Sequence, residues 1–289
     1  MQEHELARPD GERLHVADWP LPEGQRRASV LLVHGLGEHS GRYAALARQL
    51  RGWGCAVRGY DHYGHGRSSG VRGALPQPDR LLDDLAVMVD ATRAAMPAGE
   101  PLILLGHSMG ALVAASFAAR GLRPLDACVL SAPALAVSAS PLLRLLVPLL
   151  VRLVPDLRMG NGLNPADLSH DPAVVAAYVN DPLCHDRISV RLGHFITGSG
   201  AGALAAAPRW PVPTLLMWGS GDRMIDPAGC RQLAQQAPAA VLQAREFDGL
   251  YHEIFNELDR GPVYAELQRW LDEFLKKRGS SPIQASASS

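Results

Sequence analysis

Gly106-His107-Ser108-Met109-Gly110 follows the apolar run PLILL at 101–105 and precedes an alanine-rich helical pattern that begins at Ala111. A buried strand, a G-x-S-x-G turn and a helix, in that order, hold a serine on a tight elbow with its hydroxyl lifted clear of the sheet. Side chains at Gly106 or Gly110 would collide with neighbouring backbone in such a turn. The helix start behind Ser108 aims its positive end at the reaction centre. The chemistry this suits is nucleophilic attack on a carbonyl carbon.

A serine hydroxyl is a weak nucleophile at its free pKa and needs a base. His252 is the best base in the chain. It lies in GLYHEIF at 249–255, on a loop beyond the strand-like run VLQAREF at 241–247, where its ring can swing over the serine. An acid must orient that ring through Nδ1 and stabilise the imidazolium. The run TLLMW at 214–218 reads as a buried strand and ends in GSGDRMIDP. Asp222 comes first after the glycines and can reach back over the strand end. Asp226 precedes Pro227 and suits the cap of a helix starting there. Asp248, only four residues before His252, is a weaker rival.

The developing oxyanion needs positioned donors. One is the Met109 amide, next after the nucleophile. The second should come from the loop after an earlier strand. SVLLV at 29–33 is such a strand, and HGLGEHSGRY follows at 34–43. Gly35 and Gly37 let backbone come close to a substrate, and the Leu36 N–H is the candidate donor. His34 and His39 are of the metal-binding type, but the reading here is that they brace this loop by hydrogen bonds and hold no metal.

Five pieces now stand in order: HGLGEHSGRY at 34–43, YDHYGHGRSSG at 60–70, GHSMG at 106–110, GSGDRMID at 219–226 and YHEIFNE at 251–257. Together they resemble the monoacylglycerol lipase family of α/β-hydrolases, whose bacterial relatives are also called lysophospholipase-like or serine aminopeptidase S33 hydrolases. The resemblance covers nearly the whole chain, roughly residues 10–275. It implies Ser108 as nucleophile, His252 as base, Asp222 as acid and the Leu36 and Met109 amides as oxyanion hole. It also implies a cap inserted over the site, and a reaction without a cofactor.

The elements that must position these groups can be read along the chain. Two short strands around Pro9-Asp10-Gly11 form an antiparallel hairpin. Strands at 29–33, 54–59, 101–105, 126–131, 213–218 and 242–247 alternate with helices near 41–51, 78–96, 110–120, 227–237 and 260–277. That alternation predicts one α/β domain with a mostly parallel sheet and helices on both faces. The loop at 60–70, with His62, His65 and Arg67, is placed beside the oxyanion loop in a supporting role.

Residues 133–208 interrupt the alternation and mark the helical cap; 1–132 and 209–278 form the core. Leu142 to Val154 holds ten Leu or Val residues, with Arg144 and Arg152 eight apart. On a helix those arginines fall about 80° apart, on one side. Pro148 would kink or split that helix. The reading is a lid that lines an acyl tunnel through Leu142, Leu145, Leu146 and Leu149 and meets lipid outside. Asp181-Pro182-Leu183-Cys184-His185 resembles the family segment below the lid, which places Leu183 and Cys184 at the substrate.

Composition agrees. The 289 residues carry a net charge of −1 with basic residues scattered, so nothing points to nucleic acid. The four cysteines form no C-x-x-C pair and read as reduced thiols in a cytoplasmic protein. The N-terminus lacks the basic start and apolar run of a signal peptide. The tail from 279 is small and polar and should lack fixed structure. The expected activity is hydrolysis of lipid-like monoesters, monoacylglycerol first, with transient contact to a membrane or micelle through the lid. A broad carboxylesterase or lysophospholipase would share every catalytic residue. A receptor with little turnover could use the same fold.

Overall fold

The computed structural model describes residues 1–136, 147 and 149–280. An eight-stranded sheet forms the centre, in the order β1-β2-β4-β3-β5-β6-β9-β10. β1 (Gln2–Ala7) and β2 (Arg13–Trp19) make the expected antiparallel hairpin. β2 meets β4 (Cys55–Tyr60) antiparallel, and every later pairing is parallel.

The central strands are β3 (Ala28–Val33), β5 (Leu102–His107), β6 (Ala127–Ser131) and β9 (Thr214–Gly219). All of their residues are buried. Unbroken apolar runs of this kind belong to parallel strands covered on both faces. One face packs Leu31 and Leu104 against α2 (Arg80–Ala94) and α3 (Met109–Ala119). The other packs Leu32 and Leu105 against residues of α1 (Ala44–Gly52) and the C-terminal helix. Helix α3 is buried nearly all round, and small side chains let it sit that close.

The insertion lies between β6 and β9, which nevertheless pair directly, with Cys128 opposite Thr214 and Ser131 opposite Met217. It holds a helical segment at 149–153, the strands β7 (Arg158–Gly160) and β8 (Arg187–Ser189), and the helices α4 (Pro172–Asn180) and α5 (Val190–Ala206). Asp171 caps α4 through the Ala173 amide at 2.9 Å, and Ser189 caps α5 through the Leu192 amide at 3.2 Å. Helix α5 lies on α3. A Cβ at Gly200 would come within 2.4 Å of the Leu135 carbonyl, so glycine is needed where α5 passes the segment after β6.

Two expectations change. The cap is not purely helical, because β7 and β8 form an antiparallel ribbon. Each is three residues long, too short for an alternating pattern to show. Leu149 is 53% exposed and Leu153 68%, so the described part of the lid turns this edge outward. Leu142, Leu145 and Leu146 lie outside the described residues. After α6 (Ala228–Gln236) and β10 (Leu242–Phe247), the last helix, α7 (Gly261–Ser280), runs two residues into the stretch expected to be tail; 281–289 lie outside the described residues. Among the described residues, no helix is long and apolar enough to cross a membrane.

Candidate active site

The C-terminal ends of β3, β5, β9 and β10 open on one side of the sheet. In parallel sheets that is where chain segments after the strands converge on a ligand. Ser108 follows β5 directly, with φ 54° and ψ −121°. A non-glycine residue at positive φ stores on the order of 1–3 kcal/mol of strain and needs surroundings that enforce it. The two glycines provide them. A Cβ at Gly106 would lie 2.5 Å from the Gly110 carbonyl oxygen, and one at Gly110 would lie 2.1 Å from that of Val33. Strand, elbow and helix can therefore stack without a gap.

His252 Nε2 lies 2.8 Å from Ser108 Oγ, and its Nδ1 lies 2.6 Å from Asp222 Oδ2. The carboxylate only accepts, so Nδ1 carries a proton and Nε2 is free to accept from Ser108. The other Asp222 oxygen takes the Met224 and Ile225 amides at 2.9 and 3.0 Å. Burial pushes the Asp222 carboxyl up. The His252 charge and these hydrogen bonds outweigh it and hold the group below the usual carboxylate range. Burial pushes His252 down, but Asp222 first, then Glu253 and Glu38, lift it above an ordinary histidine. Asp226 accepts the Ala228 amide at the start of α6, and Asp248 bonds the Ser220 hydroxyl. Neither reaches His252.

The loop after β3 passes over the elbow. A Cβ at Gly35 would stand 3.2 Å from Ser108 Cβ. Met109 opens α3, so its amide has no partner within the helix. Among the described residues neither the Leu36 nor the Met109 amide has a protein acceptor.

The loop histidines brace one another. His34 donates Nδ1–H to the Gly35 carbonyl at 2.7 Å and accepts the His62 amide at Nε2 at 2.8 Å. His62 returns a bond to the His34 carbonyl, and His65 packs on His185 of the cap with ring centroids 4.7 Å apart. Burial holds His34, His62 and His65 below the ordinary histidine value. His39 accepts the Gly41 amide at Nδ1, so Nε2–H donates to Asp181 at 2.9 Å. Asp181, His39 and Cys184 put donor atoms within 4.8 Å of one another. The neutral His39 ring thus hydrogen-bonds the Asp181 carboxylate and links core to cap. Leu183 and Cys184 are half-buried beside it, and burial raises the Cys184 thiol to about 12.

The sequence reading passed over several polar residues at the site. Glu38 accepts the Gly35 amide and the Tyr43 hydroxyl, both at 2.6 Å. Arg42 joins Glu38 at 2.5 Å to Glu253, which it grips with two nitrogens at 2.6 and 2.9 Å. Oxyanion loop and base loop are thereby tied through one buried guanidinium. These groups and His107 surround a small cavity behind the relay, with Leu46, Phe255 and Asn256. Glu38 and Arg42 are four apart in the motif at 34–43, a spacing that could have suggested their pair; their link to Glu253, 211 residues away, could not.

Known proteins resemble this chain along most of its length. The family described as "Serine aminopeptidase, S33" matches residues 24–259. The monoacylglycerol lipase of Mycolicibacterium smegmatis is 34% identical over 272 residues, 93% of this chain and 96% of that protein. The crystal structure of Paleococcus ferrophilus monoacylglycerol lipase is 36% identical, with a TM-score of 0.81 over 90% of this chain and 99% of that one. A soluble variant of the Saccharomyces cerevisiae monoglyceride lipase, solved with a substrate analog, gives a TM-score of 0.84 at 25% identity over 94% of each chain. On a fold and a sequence shared along nearly the full length, this chain belongs to the monoacylglycerol lipase family of α/β-hydrolases.

Proposed function

We propose that this chain hydrolyses monoacylglycerols to fatty acid and glycerol through an acyl-enzyme on Ser108. The observation that carries the reading is the continuous relay from Ser108 through His252 to Asp222, at 2.8 and 2.6 Å. His252 takes the Ser108 proton as Oγ attacks the ester carbonyl. The Leu36 and Met109 amides receive the oxyanion, and Asp222 stabilises the imidazolium. His252 then protonates the departing glycerol oxygen. Water, deprotonated by the same imidazole, attacks the acyl-enzyme and frees the fatty acid. Residues 1–132 and 209–278 act as catalytic core, and 133–208 as cap, with Leu183 and Cys184 facing the substrate.

The outer edge of the cap supports a contact with lipid. Leu149, Leu153, Leu157 and Met159 are exposed, with Arg152 and Arg158 among them. Apolar side chains flanked by arginines suit an interface where cations stay at headgroups. One experiment tests substrate and surface together: kcat/KM over monoacylglycerols from short to long chains, as monomers and in anionic vesicles, beside short esters and lysophospholipids. Each buried methylene is worth about 0.8 kcal/mol, or roughly fourfold. Specificity should climb with chain length, level off, and rise again on vesicles. A maximum at acetyl esters would point to a carboxylesterase, and equal rates on monomers and vesicles would remove the lipid contact.

A further inference from the structure

Glu257 takes no part in the reaction above, yet its carboxylate is buried, with 1% of its surface exposed. A charge in that position is costly unless its oxygens are met by donors. Oε1 accepts the Tyr251 amide at 2.7 Å and His170 Nδ1–H at 2.9 Å. Oε2 accepts the His170 amide at 3.1 Å and faces the Ser169 hydroxyl at 3.4 Å. Besides the adjacent Leu258 amide at 3.3 Å, the donors come from two places: Tyr251, the residue before His252, and Ser169 and His170 in the cap.

The surroundings close the same joint. The Glu253 amide, just after His252, donates to the Leu168 carbonyl at 2.8 Å. The His170 ring lies over the Tyr251 ring at 3.6 Å, 30° apart. Residues 168–170 thus grip the backbone on both sides of His252. They lead through the Asp171 cap into α4, whose far end reaches the oxyanion loop. There Tyr178 and the His185 amide both bond the Gly37 carbonyl, and Asp181 holds His39.

We propose that Glu257 is a positioning residue, which sets the His252 loop by binding the Tyr251 amide and cap residues Ser169 and His170 into one joint. The base is then in place only when this part of the cap is docked. The proposal rests on His252 being the base of the proposed reaction.

The test compares kcat, KM and the pH profile of the wild-type chain, Glu257→Ala, Glu257→Gln and His170→Ala, with the folded fraction of each measured by near-ultraviolet circular dichroism. A misplacement of about 1 Å can cost on the order of 100-fold. Glu257→Ala should therefore lose about 10- to 100-fold in kcat with KM nearly unchanged. Its acid limb should move to lower pH as the imidazole slips from Asp222. Glu257→Gln keeps an oxygen for the Tyr251 amide and should recover most of the loss. His170→Ala, cut from a side chain 42% exposed, should lose severalfold in kcat and shift the limb the same way. It decides the matter alone if Glu257→Ala does not fold. Variants with wild-type kcat and acid limb, and only a lower melting temperature, overturn the proposal. An inactive wild-type chain would sink the reaction itself, whereas an active one with an indifferent Glu257→Ala sinks this joint alone.

Discussion

Two groups of histidines sit around the elbow, both buried, and they behave in opposite ways. His252 faces carboxylates and is lifted above the ordinary histidine value. His34, His62 and His65 face mostly one another and backbone, and burial depresses them. His107 belongs with the second group although its ring lies only 4.7 Å from that of His252. Burial, and then the charge of His252 itself, hold it at about 4. Burial alone therefore does not decide what a histidine does here. The carboxylate at Nδ1 makes a base of one ring, and its absence makes props of the others.

The sharpest way to break this contrast is to remove the relay. Ser108→Ala and His252→Ala should each lower kcat by roughly 10⁴-fold or more with folding intact. Asp222→Asn should lose on the order of 10⁴ by favouring the wrong tautomer. Asp226→Asn and Asp248→Asn should stay near wild type. A crippled Asp226→Asn or Asp248→Asn beside an active Asp222→Asn would reassign the acid.

A smaller effect appears in the pH profile. Only neutral His252 can accept the Ser108 proton. Because its pKa is raised, protonation begins earlier as pH falls, and the acid limb of kcat/KM should lie above 6.5. A limb at or below 6.5 would mean that Asp222 and its neighbours do not charge this ring.

The smallest effect is on stability, and the two groups carry opposite signs. His252 binds its proton more tightly when folded. Its contribution is complete below the unfolded value and is lost as pH rises through the raised one. His107 binds its proton more weakly when folded, so the unfolded chain takes up protons first as pH falls from 6.5 toward 4. Stability then drops on acidification, by up to about 1.4 kcal/mol per pH unit for one such residue. Urea midpoints at pH 7.5 and 5 should show the loss, and His107→Gln should reduce it. An unchanged slope in His107→Gln would place the acid sensitivity elsewhere.

What could be read from the sequence was local. Ser108 announces itself because strand, glycines and helix lie within a dozen residues. Asp222 and His252 are legible because each follows a recognisable strand. Element ends moved by at most three residues, as frayed boundaries do. Hidden were the groups whose partners are far along the chain. Glu257 is an anonymous acidic residue until His170, 87 positions earlier, folds against it. The ribbon of β7 and β8 was invisible for the same reason, since each strand exists only through its partner.

The order of the strands also bears on how the chain reaches its active form. The nucleophile and the base are 144 residues apart, and β6 must find β9 across the whole insertion. Contacts this distant in sequence close late and slow folding. During synthesis the elbow emerges long before its base, so nothing can activate Ser108 until the chain beyond β10 has folded. Ester hydrolysis should therefore appear last in refolding, after the helical signal has recovered, and should lag by the time β10 takes to dock.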